Sequence, residues 1–474
     1  MRRYNTQMNR NREFGNFHQK WKNKKQALKH KTSSIIVVVL VCFSVFASCS
    51  SNDDTTEPDT AITSYSPNHG PKGTIVTLIG VSFGTTTGNV NVSVDEINAE
   101  IISVTNTEIR FKIPPRAFKG EILVTIDGIE YTDFEFEYEI SDVQVSTFAG
   151  STMGNSNGAL AIAKFNEPHS IVFDSQGNMF VTDFSNRIRK ITPLGQVSTL
   201  AGNQQGGFAD GDGTDARFRF LGGFGSSGIT IDKDDVIYVA DTGNGAIRRV
   251  APSGNVTTIA GNGIVGDVDG IGADARFNFL NSITIDNQHN LYVTDSENEK
   301  IKRIELPSNM VTTIAGGTSG YQDGVGANAK FSSLLGQLVF NNDNALYVAE
   351  FGTGGGLHGL RKVTLDGVVT TVTGSTENGY VDGALEDAKF GTLSGVALDK
   401  LGNIYVVDRH NHLIRRISKS GIVTTLAGVV GGGFQDGSGD VAKFLYPSHI
   451  IVDDNYNIYV ADGGNHRIRK ITQE

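Results

Sequence analysis

The chain of 474 residues contains two cysteines, one tryptophan and ten prolines. Cys42 and Cys49 both lie near the N-terminus, so nothing beyond them can form a disulfide or a cysteine-ligated zinc site. Long hydrophobic runs are also missing. The apolar run at 35–46 is about twelve residues, too short to cross a bilayer. Positive charge is scarce once the first 48 residues are set aside. They hold 10 Lys/Arg and 1 Asp/Glu, leaving 31 basic and 50 acidic residues, a net of −19. Such a surface excludes nucleic acid as a partner and disfavours anionic lipid. No G-x-S-x-G elbow, H-E-x-x-H pair or phosphate-binding loop occurs. What is abundant is glycine, 57 residues, spread among short alternating apolar runs, the mark of an all-β chain with many turns.

The first 31 residues are strongly basic, the apolar run follows, and Ala47-Ser48-Cys49 closes it. This order predicts a signal peptide over 1–48. Ala-Ser-Cys resembles a bacterial lipobox, which implies lipidation of Cys49 as the first mature residue. Residues 49–60 are polar and rich in Thr, Pro and Asp, as a flexible tether is. The acidic pair Asp53-Asp54 resembles the surface-export signal of some Gram-negative outer-membrane lipoproteins. The expected location is the outer membrane, facing the cell exterior, with Cys49 as the membrane contact.

Six strand-like segments of one type recur from residue 145 onward: VSTFAG, VSTLAG, VTTIAG, VTTIAG, VTTVTG and VTTLAG. They end at Gly150, Gly202, Gly261, Gly316, Gly374 and Gly428, spacings of 52, 59, 55, 58 and 54 residues. Such periodicity marks a repeat architecture. After each glycine come a turn-rich stretch ending in Ala-Lys/Arg-Phe and three further strand-like runs, such as 228–232, 236–241 and 247–250. Writing these as a, b and c, with the glycine-ended run as d, gives four strands per unit, the content of a propeller blade. The region opens with a lone d strand and closes with a lone a-b-c set. The two ends pair only if the first strand completes the last blade, which also removes an open sheet edge. The predicted fold is all-β: a six-bladed β-propeller over 141–474, closed by strand exchange between its termini.

The units resemble NHL repeats, whose signature is close to VADxxNHRIRKI. It reads VADGGNHRIRK at 460–470, VADTGNGAIRR at 239–249 and VVDRHNHLIRR at 406–416. Blade 4 departs from it: Glu350 replaces the aspartate, the asparagine is missing, and four extra residues enlarge 351–358. Blade 1 is one residue short after Asp183.

Residues 61–140 read as a compact immunoglobulin-like β-sandwich, with strands expected at 75–79, 90–94, 101–105, 108–112, 121–126 and 134–138. SPNHGPKGT at 66–74, followed by VTLIG at 76–80, resembles the IPT/TIG family. That family supplies spacers and interaction modules, and no paired acids, histidine cluster or nucleophile is visible here. The expected role is a spacer.

Candidate site residues are sought where d–a and b–c loops surround the channel mouth of a propeller. The d–a loops carry Asp-Gly pairs, which build tight turns. Asp210, Asp212, Asp267 and Asp269 could alternatively supply calcium oxygens. The b–c loops carry Asp183, Asp241, Asp295, Asp408 and Asp462. Their recurrence favours loop structure, or pairing with Arg189, Arg248 and Arg415, over catalysis. Deviations from the repeat are better candidates for ligand contact. His169 and His449 precede strand a of blades 1 and 6. His410 and His412 lie in blade 5, His466 in blade 6 and His358 in blade 4. Together they could hold zinc or act as acid–base groups, or serve as ordinary loop residues. Phe184, Arg409, Tyr446 and Phe351 supply stacking surfaces suited to sugar rings.

The leading expectation is a non-enzymatic lipoprotein that captures an extracellular ligand, with a glycan favoured by analogy to lipoproteins that accompany glycan uptake. A protein partner, in docking or adhesion, is an alternative. So is a metal-dependent lyase or lactonase, which related propellers include; it would need His169 and His449 to converge with acids around calcium or zinc. No cofactor is otherwise called for.

Overall fold

The computed structural model describes residues 60–221, 227–332, 336–341, 343–352 and 356–474. The signal expected at 1–48, Cys49 and all but Thr60 of the tether expected at 49–60 lie outside the described residues. Among those described, no helix is long and apolar enough to cross a membrane.

The first structural layer is a β-sandwich. One sheet orders Ala61–Ser66, Ile75–Val81, Glu108–Lys112 and Glu100–Thr105; the other orders Ile97–Asn98, Val90–Val94, Glu121–Ile126 and Ile129–Glu135. Strict alternation explains the packing. Val76 and Leu78 of one sheet, with Ile109 and Phe111, face Val92, Val94, Ile122 and Val124 of the other. The strand at 61–66 escapes sequence inspection because AITSYS lacks apolar alternation, and it gains its place by pairing with residues 77–81. The strand expected at 134–138 is two: Ile129–Glu135 in the sandwich, and Glu137–Tyr138, which pairs in parallel with His69–Gly70.

Residues 143–474 form six five-stranded sheets, each ordered outward from strand a through b, c and d. The expected four strands become five. After each d strand the chain lays a two-residue strand on the outer edge of the next blade's d strand before crossing inward, as Gly158–Ala159 does on residues 196–197. The Asp-Gly turns build this fifth strand. Gly211 requires this residue type, since its φ is +151°.

The region's two ends share one sheet. Val143–Ala149 pairs antiparallel with Arg467–Gln473, from Val143 opposite Gln473 to Ala149 opposite Ile468. Six apolar clusters follow the ring, one at each blade-to-blade interface. One joins Ala149, Ala461 and Ile468 of blade 6 to Phe165, Ile171 and Val181 of blade 1. The Ala-Lys/Arg-Phe phenylalanines sit in these interfaces: Phe165, Phe218, Phe277, Phe331, Phe390 and Phe444 are fully buried. Removing such a ring costs about 3–5 kcal/mol.

The small domain packs on the face formed by the a–b turns. Phe118 meets Tyr456 edge-on at 4.9 Å between ring centroids. Arg116 donates to the Asn455 carbonyl and, at 3.2 Å, to Asn457 Oδ1. Lys72 pairs with the Glu474 carboxylate at 2.6 Å. The face bearing the b–c loops is on the opposite side of the ring.

Candidate functional site

Each blade has a buried cation on strand c that organises the loops above it. In blade 6, Arg469 Nη1 donates to the Lys443 carbonyl and to Asp462 Oδ2 (2.8 and 2.9 Å), while Nη2 donates to the Gln435 carbonyl and to Asp436 Oδ1 (2.8 and 2.6 Å). Its guanidinium lies 5.0 Å from the Phe444 ring centroid. Arg248, Arg361 and Arg415 repeat this arrangement, and Arg189 does so with Asn157 in place of the outer carboxylate; all are fully buried. Blade 3 uses Lys302, which reaches Asp267, Asp269 and Asp295. The recurring carboxylates Asp183, Asp241, Asp295, Asp408, Asp462 and Glu350 are the buried partners of these cations. Burial pushes Asp408 and Asp462 up to about 6 and Glu350 to about 7, against the pull of their arginines.

The calcium candidates occupy the same scaffold at the outer edge of the blades, away from the channel mouth where sequence inspection put them. Asp210 accepts from Arg248 and from Thr258 N–H and Oγ1–H. Asp212 accepts from Asn255, Asp267 from Lys300 and Lys302, and Asp269 from Lys302 and Thr313. The displacement has a topological cause: strand d is the outer strand, so the loop leaving it begins at the rim. Among the described residues, no three His, Cys, Asp or Glu side chains gather as a metal-ligand set.

Two histidines are inter-blade latches. At the left-handed position that ends the b–c loop, His466 (φ +58°) accepts the Glu167 N–H of blade 1 on Nδ1 at 3.1 Å. His412 (φ +61°) accepts the Tyr446 N–H of blade 6 on Nδ1, also at 3.1 Å. Asn186 does the same in blade 1, its Oδ1 accepting the Phe220 N–H at 2.8 Å. Burial holds both imidazoles below the ordinary histidine value, with His410 and Arg409 adding to the effect at His412. Blade 4 deviates: His358 opens its strand c as a buried residue with Nδ1 unpartnered, and burial lowers the imidazole below its ordinary value.

The remaining candidates gather along one arc of the b–c loop face, from blade 4 through 5 and 6 to 1. His169 stacks on Phe184 (5.9 Å between centroids, 17° between planes). Arg409 donates to the Tyr446 carbonyl at 3.1 Å, and its guanidinium lies 5.7 Å from the Tyr446 ring. His410 bonds Thr392 and meets Phe351 edge-on at 5.9 Å and Tyr446 at 6.4 Å. Tyr446 is 45% exposed, and Phe184 and Arg409 are half-buried, so the arc has solvent access. His169 and His449 lie beneath it on the innermost strands. Burial lowers both to about 3, with Arg409 and His449 also acting on His169. His169 Nε2 and His449 Nδ1 are buried without a hydrogen-bond partner.

Gln337, just before strand a of blade 4, links neighbouring innermost strands and was not among the sequence candidates. Its Oε1 accepts from the Val396 and Ile450 N–H groups and its Nε2 donates to the Ile450 carbonyl, tying blade 4 to blades 5 and 6. The signal was a glutamine opening an otherwise apolar strand a. A groove of about 660 Å³ opens elsewhere, beside Val143, Tyr380, Leu426 and Val430. Its carboxylates Asp142 and Asp440 are bonded to Gln144 and Ser438, and it holds none of the candidate residues.

Fold and scaffold define a six-bladed β-propeller joined to an immunoglobulin-like domain. The IPT/TIG domain family matches residues 61–138 and the NHL repeat family matches residues 390–417, in keeping with the resemblances of the two regions. NHL repeat-containing protein 2 of Bos taurus is 29% identical over 279 residues, 51% of this chain and 38% of that protein. The chain thus spans under two fifths of the curated relatives' length. A crystal structure from Bacteroides thetaiotaomicron of a protein of unknown function is 25% identical, covers 89% of this chain and 99% of its own, and superposes with a TM-score of 0.59. An auxiliary nutrient binding protein from Bacteroides ovatus is 18% identical, with coverage of 88% and 99% and a TM-score of 0.53, a likeness of fold.

Proposed function

We propose that this protein is a surface-exposed outer-membrane lipoprotein, anchored through Cys49, that captures an extracellular glycan on the b–c loop face without transforming it. The observation that carries this reading is the exposed arc of Tyr446, Arg409, His410 and Phe184, set on a scaffold whose other repeated polar groups are engaged internally. Aromatic faces beside hydrogen-bonding groups suit the apolar faces and hydroxyls of sugar rings. The small domain packs on the opposite face, leaving the arc open outward from a tethered N-terminus. The Bacteroides ovatus protein of like fold is an auxiliary nutrient binding protein, in keeping with capture.

A panel of soluble polysaccharides, screened by thermal shift of the purified chain, tests this. A ligand specific to the folded state raises the melting temperature. A shift that disappears in Tyr446→Ala supports capture by the arc. A shift with every polysaccharide that survives Tyr446→Ala, or no shift at all, removes the glycan reading. Metabolic labelling with palmitate, lost in Cys49→Ala, tests the anchor.

A further inference from the structure

We propose that the groove at the outer junction of blades 5 and 6 docks an extended segment of a partner protein, seating an aliphatic side chain of that segment beside a lysine or arginine. The site is on the rim, apart from the b–c loop arc, and stands independently of the glycan reading.

The groove lies where the ring is closed by its own termini. In blades 1 to 4 strand c turns directly into strand d, and a carbonyl of that turn accepts an N–H from the d–a loop. Gly195 accepts from Leu160, Gly254 from Gly213, Asn309 from Gly272 and Gly367 from Gly326, at 2.9 to 3.1 Å. Blade 6 has no such turn, because its strand d arrives from the small domain. The Val143 carbonyl takes the bond instead, from the Gly439 N–H at 2.8 Å.

The packing changes with the connection. In blades 1 and 5 the d–a loop supplies a leucine, Leu160 or Leu385, that lies against the turn glycine, Gly195 or Gly421. Each leucine also packs into the apolar interface with the preceding blade. Blade 6 reverses the pair: Gly439 stands at the leucine position and faces Val143. Valine is one carbon shorter, and a groove of about 660 Å³ opens here, lined by Val143, Leu413 and Leu426. The two sister junctions show what fits such a space, an aliphatic side chain.

Charge defines the flank. Asp142 and Asp440 line the groove, and its described lining includes no Lys, Arg or His. Their hydrogen bonds to Gln144 and Ser438 leave both charges in place. Lys72 offsets part of this, but it is shared between Asp142 at 3.4 Å and Glu474 at 2.6 Å, so the surroundings stay net negative. Tyr380, 59% exposed, and Val430, 48% exposed, form the lip, an apolar wall for the stem of a basic side chain. An aliphatic floor with an anionic rim complements a cationic, amphipathic segment.

Selection from a displayed library of random heptapeptides on the full chain in detergent tests this. Enriched peptides should share an aliphatic residue next to Lys or Arg. A synthetic peptide of that consensus should lose at least about tenfold in affinity with Asp440→Lys and with Tyr380→Ala, each with an unchanged unfolding midpoint, and bind Tyr446→Ala as it binds wild type. Its binding should weaken as salt is raised. No enriched consensus, a consensus without basic residues, or binding indifferent to both groove substitutions overturns the proposal. So does a polysaccharide whose thermal shift is lost in Tyr380→Ala and kept in Tyr446→Ala, which would make the groove a sugar site.

Discussion

At the scale of single residues, histidine does two different jobs in this ring. His466 and His412 are acceptors for a neighbouring blade's backbone N–H, the task that Asn186 performs in blade 1. His466→Asn should therefore keep most of the stability, while His466→Leu, which strands the Glu167 N–H, should cost about 1–3 kcal/mol in urea unfolding. His169 and His449 are different: each keeps a buried ring nitrogen without a partner. Their folded-state values of about 3 lie below the ordinary 6.5, so between those values the unfolded chain binds more protons. The stability they contribute is fully present above pH 6.5 and is lost as pH falls toward 3. Raised carboxylates such as Asp408 and Asp462 shift the balance the opposite way. The informative quantity is thus a difference. Wild type should lose stability relative to a His169→Phe/His449→Phe double variant between pH 7 and pH 5, measured by denaturant midpoints. Parallel pH profiles would contradict the burial of these two rings.

At the scale of the element, the blade is organised around its strand c cation. Arg469 binds two carbonyls and two carboxylates, one fully buried, so its loss leaves Asp462 as an uncompensated buried charge. Arg469→Ala should cost about 3–5 kcal/mol, read from the unfolding midpoint. Arg469→Lys should retain a good part of this, because blade 3 runs the same junction with Lys302. The repeat made this arginine and its aspartates legible in sequence as a structural set. The second carboxylate was harder to assign. Asp436 and its equivalents stand some thirty residues before the arginine, and nothing local says that a d–a loop first pads the outer edge of the next blade. That path also explains why Asp210, Asp212, Asp267 and Asp269 meet cations, threonines and asparagine at the rim.

At the scale of the whole molecule, the small domain and the ring meet through a compact contact. Phe118 and Arg116 engage the a–b turn of blade 6, and Lys72 bonds Glu474, the residue whose backbone pairs with Asp142. An Arg116→Ala/Phe118→Ala pair should leave each domain folded but loosen their relation. Small-angle scattering should show a larger radius of gyration, and proteolysis should cut faster near residues 139–142. An unchanged scattering curve would place the rigidity in the linker itself.

The sequence by itself determined the all-β class, the number of repeats and the immunoglobulin-like domain, and offered Asp/Arg pairing as one of two structural roles for the b–c loop aspartates. All of these follow from period, turn chemistry and charge that neighbouring residues carry along the chain. Only the tertiary structure decided which histidines latch blades and which keep an unpartnered buried nitrogen, where the Asp-Gly turns sit, and that Gln337 bonds blades 5 and 6. Those outcomes depend on contacts between segments tens to hundreds of residues apart. The ring brings His169 and His449 together only because it returns to its own beginning, with Val143–Ala149 set beside Arg467–Gln473.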